Sequence, residues 1–391
     1  MTREEIIKRV RDSPNKNFLL VLPTGMGKTR VALEILRQRV FLEFPVLIVV
    51  PRLVLIDNWK EELRKFHLEH YLPYITFTTY NSLHKHTETK WFYVVYDECH
   101  HISDRCKEIL PNINSIYNSF LSATIKQDLK DWLLFNYKDI KLVEVNLREA
   151  IEHEVLPDPK IILIPMLLNY TNLTETIVKE SKNKKHWITC QYKDRWKYLK
   201  NYNCRIQCTP AQYNLEMSND IEYWKRRAMQ NSIFKNKWLR LCGERLKWLS
   251  NQKNDIVLTL LKELKNYKTL TFCNSIEQTE ILGKYCINSK NKESDEYLKM
   301  FNEGKIKHIT ACDMVNEGVN LTNCKIGIFA SINNSDILTR QKSGRILRHK
   351  EPVIIIPYFK NTREVELVDK MLENYNKDLI TIVENIKDIQ L

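Results

Sequence analysis

The sequence FLLVLPTGMGKT occupies residues 18–29 and carries the strongest structural signal of the chain. It opens on a short apolar run, residues 18–22, which predicts a buried strand, and it leads into a helical pattern over residues 29–38. Gly25 and Gly27 can adopt the backbone conformations that turn N–H groups inward around phosphate oxygens. The helix N-terminus adds a partial positive charge. The stretch therefore predicts a phosphate-binding loop between a strand and a helix.

The side chains of this loop indicate which phosphates it would hold. Lys28 is expected to reach the β- and γ-phosphates of ATP, and the Thr29 hydroxyl to bind Mg²⁺. The strict pattern for such a loop opens with Gly or Ala, whereas this chain has Leu22 there. The residues predicted to bind ATP are Pro23, Thr24, Gly25, Met26, Gly27, Lys28, Thr29 and Arg30.

Two adjacent carboxylates, Asp97 and Glu98, follow the apolar run at residues 92–96. Ligands bind at the carboxyl ends of the strands of a parallel sheet, which is where this pair would lie. Asp97 is expected to hold Mg²⁺, mostly through water, and Glu98 to orient and deprotonate an attacking water molecule. An isolated Asp-Glu pair is weak evidence, but this one follows the phosphate-binding loop by about 70 residues. Together they predict a site for ATP hydrolysis.

The chain alternates between short apolar strands and helical patterns in two regions, residues 16–150 and 255–391. Such alternation is typical of parallel sheets covered by helices on both faces. We therefore predict three parts: a first α/β domain at residues 1–150, a linker and insert at 151–252, and a second α/β domain at 253–391.

The insert is set apart by its composition. Residues 181–250 contain 16 Lys or Arg and 5 Asp or Glu, so they carry most of the net charge of +13, together with five of the eight tryptophans. The charge favours binding of nucleic acid over an ordinary solvated surface. Tryptophans could stack on bases, but their partly helical spacing favours packing in a mainly helical core. The densest basic cluster, Lys225, Arg226 and Arg227, is predicted to contact nucleic acid.

The ten cysteines include no C-x-x-C pair. Cys204 and Cys208 have a spacing that suits half of a zinc site, but a second half is missing, so buried thiols are favoured over zinc. No apolar run approaches the ~20 residues that span a bilayer. Without a signal for export or a membrane segment, we expect reduced thiols, no membrane partner and a cytoplasmic location.

Four motifs in order, PTGMGKT, DECH, Ser122-Ala-Thr124 and QKSGRILRH, resemble those of superfamily 2 helicases. The resemblance implies two RecA-like domains with ATP in the cleft between them and single-stranded nucleic acid bound across both. It also implies arginine fingers at Arg345 and Arg348. A planar guanidinium from the second domain can neutralise the charge that builds on the γ-phosphoryl group only when the cleft closes.

The resemblance assigns further residues by their motifs. Contacts to the nucleic-acid backbone are implied for Pro51, Arg52, Thr78, Thr79, Asn274 and Ser275. Coupling of hydrolysis to domain movement is implied for Ser122, Thr124 and His100. Motif V supplies Gly318 and Asn320 as further residues that bind ATP, and Asn320 stands where family members often have Asp. Motif VI supplies Gln341 as a further catalytic residue.

The run SGRILR more closely resembles the UvsW-like and XPB-like DNA helicases, and residues 151–165 look like a feature of helicases from bacteriophages. DECH instead of DEAD, and the lack of Gln before Gln38, disfavour the DEAD-box RNA helicases. We therefore expect an ATP-dependent DNA helicase or translocase of replication, recombination or repair. An RNA helicase, an ATP-gated nucleic-acid-binding scaffold and a duplex translocase without strand separation stay open. The expected partners are DNA in preference to RNA, with replication or recombination proteins possible, and the expected form is a monomer in the cytoplasm, the host cytoplasm if the protein is viral.

Overall fold

The computed structural model describes residues 1–312, 321–332, 344, 346–373 and 375–391. These residues form two parallel β-sheets with flanking helices, and a smaller unit that interrupts the second sheet along the chain. The predicted class, two parallel-sheet α/β domains, is confirmed.

Six parallel strands form the first sheet, and each of its faces is covered by helices. The strands are β1 (Asn17–Val21), β2 (Val46–Val50), β3 (Ile75–Thr79), β4 (Trp91–Tyr96), β5 (Ser115–Ser122) and β6 (Ile140–Glu144), and the helices are α1 (Arg3–Arg11), α2 (Lys28–Arg39), α3 (Leu55–Lys65), α4 (Asp104–Ile109), α5 (Gln127–Asn136) and α6 (Leu147–Glu152). The order is β3-β2-β4-β5-β1-β6. Alternate residues of each strand enter cores on opposite faces, which is why these strands are continuous apolar runs.

After β7 (Lys160–Met166) the chain forms a separate small unit. Its elements are β8 (Glu175–Lys179), β9 (Trp187–Gln191), α7 (Arg195–Leu199), β10 (Asn203–Cys208), α8 (Pro210–Gln230) and α9 (Lys235–Asn251). The central strand β10 pairs antiparallel with β8 and parallel with β9. The insert is mainly helical, as predicted, because α8 and α9 make up most of residues 181–250, but the sequence analysis does not predict the three-stranded sheet at residues 175–208.

The prediction that the insert tryptophans form its core is wrong for two of them. Trp187 is 42% exposed and Trp196 is 70% exposed. The core of the small sheet consists instead of Ile177, Ile206 and buried cysteines such as Cys204. The cysteines of the described ranges are free thiols, and among the described residues no group of three or more side chains is placed to hold a metal ion.

The second sheet contains seven strands. Besides β7 these are β11 (Thr269–Phe272), β12 (Cys286–Ile287), β13 (His308–Ala311), β14 (Ile326–Phe329), β15 (Val353–Phe359) and β16 (Ile380–Ile382), with helices α10 (Asn254–Glu263), α11 (Ile276–Leu282), α12 (Ser294–Asn302) and α13 (Glu364–Leu372). The order is β12-β13-β11-β14-β15-β7-β16. Part of the predicted linker, residues 160–166, is thus a strand of the second domain, paired along its whole length with β15. The prediction that residues 151–252 are linker and insert is therefore wrong for this strand.

The small unit is joined firmly to the second domain. Just beyond α9, Lys253 at the start of α10 belongs to the second domain, and its ammonium group lies 2.6 Å from Oε1 of Glu364 on α13, with both side chains almost fully buried. The Ser250 hydroxyl lies 2.7 Å from Gln278 Oε1 and 3.0 Å from the carbonyl of Ala330. These contacts of Ser250 attach the end of α9 to the second domain. Within the part of the chain that the structure describes, no helix is both long and apolar enough to cross a membrane.

Candidate active site

The loop between β1 and α2 has the backbone geometry expected of a phosphate cradle. Gly25 and Gly27 have φ values of 96° and 86°, in the left-handed region that favours glycine. Gly27 precedes the first residue of α2, and it has no side chain to cap the N–H groups of the first helical turn. These groups can therefore bind an anion. Lys28 extends back along the loop, and its ammonium group donates to the carbonyl of Leu22 at 3.3 Å.

Asp97 is fixed at the end of β4 by two donors. Trp59 Nε1–H donates to Oδ2 at 2.9 Å, and the Glu98 backbone N–H donates to Oδ1 at 3.0 Å. Burial raises the pKa of Asp97 to about 6, and the neighbouring Glu98 charge adds to the rise, while Trp59 and Lys28 oppose it. The carboxylate is thus held in one orientation in an environment that disfavours its charge.

Glu98 occupies a left-handed backbone position, with φ 47°, which is rare for a residue with a side chain. Its Oε2 atom is buried and has no hydrogen-bond partner among the described residues. The Nδ1 atom of His100 lies 3.5 Å from this oxygen. A buried carboxylate oxygen without a hydrogen bond is costly, and a water molecule positioned for attack would supply one.

The predicted coupling residues form a connected chain of contacts beside the loop. His100 Nδ1 lies 2.9 Å from Ser122 Oγ, and the Ser122 hydroxyl also donates to the carbonyl of Thr124. The backbone N–H of Leu22 donates to the Ser122 carbonyl at 2.9 Å. The strand that carries the phosphate-binding loop is therefore linked to His100, and through it to Glu98.

The second domain reaches this site. A Cβ atom added to Gly344 would lie 2.6 Å from Cβ of Thr24 in the phosphate-binding loop. The cleft between the domains has a volume of about 1580 Å³, and Lys28, Asp97, Glu98 and Arg348 all line it. This exceeds the usual size of small-molecule pockets and leaves room for a nucleoside triphosphate. Burial lowers the pKa of Arg348, with Glu62 opposing that effect.

Two family models match the two halves of this arrangement. Residues 2–127 match the family described as Type III restriction enzyme, res subunit, and residues 252–350 match the Helicase conserved C-terminal domain. The chain has the two-domain core of a superfamily 2 helicase.

Relatives and solved structures agree with that assignment. The chain is 26% identical over 381 residues to DNA 3'-5' translocase XPB2 of Sulfurisphaera tokodaii, covering 92% of this chain and 79% of that protein. In fold it is similar to S. cerevisiae Dbp5 bound to RNA and ADP BeF3, with a TM-score of 0.59, 12% identity, and coverage of 97% of this chain and 88% of that one. It is also similar to the Type ISP restriction-modification enzyme LlaBIII bound to DNA, with a TM-score of 0.56, 12% identity, and coverage of 98% and 31%.

Most residues predicted to contact nucleic acid in the two α/β domains lie at or just after the carboxyl ends of β-strands. Pro51 and the exposed Arg52 follow β2, Thr79 ends β3, and Asn274 and Ser275 follow β11. Ser275 caps α11 by accepting from the Gln278 N–H at 3.2 Å. These positions lie at the same ends of the sheets as the ATP loop.

Thr78 is predicted to contact nucleic acid, but its side chain is buried in the structure. It is only 5% exposed, and its hydroxyl lies 3.0 Å from His86 Nε2. Its side chain points to the interior because neighbouring residues of a strand alternate between faces. In this conformation the Thr78 side chain supports the end of β3 and is turned away from solvent.

Several predicted residues of the helicase lie apart from the cleft or outside the described residues. Lys225, Arg226 and Arg227 are near the end of α8, where the Arg227 guanidinium lies over Trp224 and Phe234. The residues outside the described part of the chain are Gly318, Asn320, Gln341 and Arg345.

Sequence reasoning misses three residues that organise the site. The sequence places Trp59 in a helix, but its contact with Asp97 joins elements far apart along the chain. Leu156 packs on Gly25 from the segment after α6. Arg3 on α1 donates to the Gly25 carbonyl at 2.7 Å. One signal is present in the sequence, because Thr2 and Glu5 form a capping box that marks the start of α1.

Proposed function

We propose that this chain is an ATP-dependent DNA helicase or translocase, in which hydrolysis in the inter-domain cleft drives movement along DNA or its unwinding. One observation carries the proposal: the two domains meet at the phosphate-binding loop, with Gly344 against Thr24 and Arg348 in the same cleft as Lys28 and Glu98. Hydrolysis is thereby tied to the relative position of two domains, which is what a motor requires.

The residues of the cleft fit ATP with Mg²⁺. A hydroxyl from Thr29 and a carboxylate from Asp97 are hard oxygen ligands of the kind that Mg²⁺ prefers. When bound, the ion would neutralise charge on the β- and γ-phosphates. Glu98 Oε2, which makes no hydrogen bond within the described part of the chain, accepts a proton from the attacking water. Arg348, with Arg345, stabilises the charge of the transferred group.

The choice of DNA over RNA rests on the named relative. That relative, XPB2, aligns over nearly the whole chain and carries DNA translocase and a 3'-5' direction in its name. The likeness to Dbp5 bound to RNA concerns the fold, which RNA and DNA motors share. We further propose the cytoplasm as its location, the host cytoplasm if the chain is from a bacteriophage, and a monomeric form.

The proposal is tested by measuring ATP hydrolysis with no nucleic acid, single-stranded DNA, duplex DNA, forked DNA, single-stranded RNA and duplex RNA. We expect DNA to stimulate turnover strongly and RNA to do so weakly. Equal or greater stimulation by RNA would favour an RNA helicase and leave the ATP site intact. A rate indifferent to every nucleic acid would contradict the proposal.

Glu98→Gln is the matched control for these assays. The amide cannot take a proton from water, so we expect ATP binding to persist while turnover falls at least ~100-fold, the range for loss of a general base. Binding is followed with a fluorescent ATP analogue and turnover by phosphate release. Rapid hydrolysis by this variant would show that another group is the base.

A further inference from the structure

The small sheet of the insert has a second face, opposite to its core. On the inner face, Ile177, Cys204 and Ile206 pack into that core. The opposite face, which we call the outer sheet face, is formed by exposed side chains on all three strands. They include six that carry the argument, Val178, Trp187, Thr189, Gln191, Arg205 and Gln207, and Thr176 completes the face.

The chemistry of the outer sheet face suits an anion with flat apolar rings. Trp187 is 42% exposed, and the Arg205 guanidinium lies 5.1 Å from its ring centroid. None of the seven exposed side chains of the face is acidic. An exposed indole with an arginine stacked beside it offers a surface on which a nucleobase can stack, and Gln and Thr can donate hydrogen bonds to bases or phosphates.

A basic loop is fastened over one end of this face. Asn203 shares the face with Arg205 and Gln207 by the two-residue period of the strand, yet it is only 3% exposed. Its amide donates to the carbonyl of Lys184 at 2.7 Å and accepts from the Ser181 N–H at 2.8 Å. The loop at residues 181–186 is thus held above the start of β10, directly beside Trp187.

The charge around the face is strongly positive. The loop presents the exposed side chains of Lys182 and Lys185. Residues 175–209, which span all three strands, contain nine Lys or Arg and three acidic residues, Glu175, Glu180 and Asp194. Such a balance attracts a polyanion, and together with the exposed Trp187 it selects a polyanion whose bases are unpaired.

We propose that the outer sheet face binds single-stranded nucleic acid, with a base stacked on Trp187 and phosphates bound by Arg205 and the loop lysines. This site is separate from the predicted contacts at the strand ends of the two domains. The inference rests on the proposed function only in that the ligand is a nucleic acid. Binding at the outer sheet face does not require ATP hydrolysis. Because Ser250 of α9 is hydrogen-bonded to the second domain, a nucleic-acid strand bound to this face would be held by the insert and that domain together.

Binding is measured on the full chain without nucleotide, by fluorescence anisotropy with labelled oligothymidylate, oligouridylate and duplex DNA of about 30 nucleotides, a length that spans several site sizes. Trp187→Ala is expected to weaken binding of the single strands roughly tenfold, as loss of one stacked base predicts. Duplex binding and basal ATP hydrolysis should be unchanged. Trp187→Phe should keep most of the affinity, because its ring still stacks.

Trp196→Ala is the matched control. Trp196 is also exposed and also has an arginine, Arg195, over its ring at 4.7 Å, but it lies on α7 and not on the outer sheet face. Its loss should leave single-strand binding unchanged. Equal effects of the two alanine variants, or an equal loss of single-strand and duplex binding, would overturn the proposal.

A loss of affinity in Trp187→Ala for oligothymidylate, oligouridylate or both, with duplex binding unchanged, would support the site. The ligand affected would identify the sugar that the site accepts. Failure of the proposed function would look different, as ATP hydrolysis by the unaltered chain that no nucleic acid stimulates. Unchanged affinity in Trp187→Ala would overturn the proposal and leave the face for another occupant, such as a peptide strand added to the edge of β9.

Discussion

Asp97 and Glu98 are adjacent residues whose conformation and burial cost stability. Asp97 is buried with a raised pKa, and Glu98 has a left-handed backbone and a buried oxygen without a partner among the described residues. A residue held in a sparsely populated backbone conformation costs on the order of 1–3 kcal/mol. Such costs cluster at functional sites, and these two carboxylates face the ATP cleft.

Asp97→Asn should change the pH dependence of stability. The folded-state pKa of Asp97, about 6, lies above its ordinary value of 3.8, so the folded chain binds more protons between these pH values. The wild type therefore loses stability as pH rises from about 4 to about 6, by up to ~3 kcal/mol, and the variant does not. Any hydrogen bond that the amide loses to Trp59 or Glu98 costs a constant amount at all pH values.

The measurement is the melting temperature of both proteins in a chelating buffer at pH 5 and pH 7.5. We expect the melting temperature of Asp97→Asn, relative to that of the wild type, to be higher at pH 7.5 than at pH 5. A difference that is the same at both pH values would show that Asp97 titrates normally.

At the scale of single elements, the strands and helices around the ATP site can be predicted from the sequence because each is a local pattern. The helix predicted at 29–38 occurs at Lys28–Arg39, and the strand predicted at 18–22 occurs at Asn17–Val21. β7 has the same apolar character, but its partners β15 and β16 lie some 190 to 220 residues away. No local pattern reports pairing over that distance, and this is why the sequence alone places β7 in the linker.

The candidate site divides in the same way. The residue types of the phosphate-binding loop and of the Asp-Glu pair can be predicted, because their chemistry is contained in a few neighbouring residues. The Trp59–Asp97 bond, the Gly344–Thr24 approach and the exposure of Trp187 depend on which elements meet, and that is set by tertiary packing. A tryptophan at the start of a strand is equally compatible with a core and with a surface until the sheet has a covered and an uncovered face.

The buried pair of Lys253 and Glu364 joins the start of α10 to α13 within the second domain, and we expect it to be essential to that junction. Glu364→Gln leaves a buried ammonium group without its counter-charge, which should cost about 3–5 kcal/mol. Lys253→Met with Glu364→Gln removes both charges and should recover much of the loss. Urea unfolding of the single and double variants gives the coupling between them.

The control for these double-variant measurements is the exposed pair of Lys247 on α9 and Glu277 on α11. Their charged groups lie 3.0 Å apart. Solvent screens an exposed pair, so Glu277→Gln should change stability little. Equal losses in Glu364→Gln and Glu277→Gln would mean that burial does not strengthen the pair and that the junction does not depend on it.

At the scale of the whole molecule, Gly344 sets how closely the second domain approaches the ATP loop. A Cβ atom there would lie 2.6 Å from Thr24 Cβ, closer than carbon atoms of two side chains pack, so Gly344→Ala must hold the domains apart or shift the loop. Arg348 would then stand farther from the phosphates while Lys28, Asp97 and Glu98 keep their mutual geometry. We expect ATP to bind still, and nucleic-acid-stimulated turnover to fall at least ~10-fold, since small displacements of catalytic groups cost such factors.

Gly243→Ala separates this effect from the general cost of replacing glycine. Gly243 lies within α9, and an added Cβ would meet nothing within 4 Å. Its replacement should leave turnover unchanged and stabilise the helix by about 1 kcal/mol. Phosphate release and binding of a fluorescent ATP analogue, measured on both variants, distinguish the outcomes. If Gly344→Ala hydrolysed ATP as fast as Gly243→Ala in the presence of DNA, the close approach of the domains would not be part of the hydrolytic cycle, and stimulation by DNA would have to act through the first domain alone.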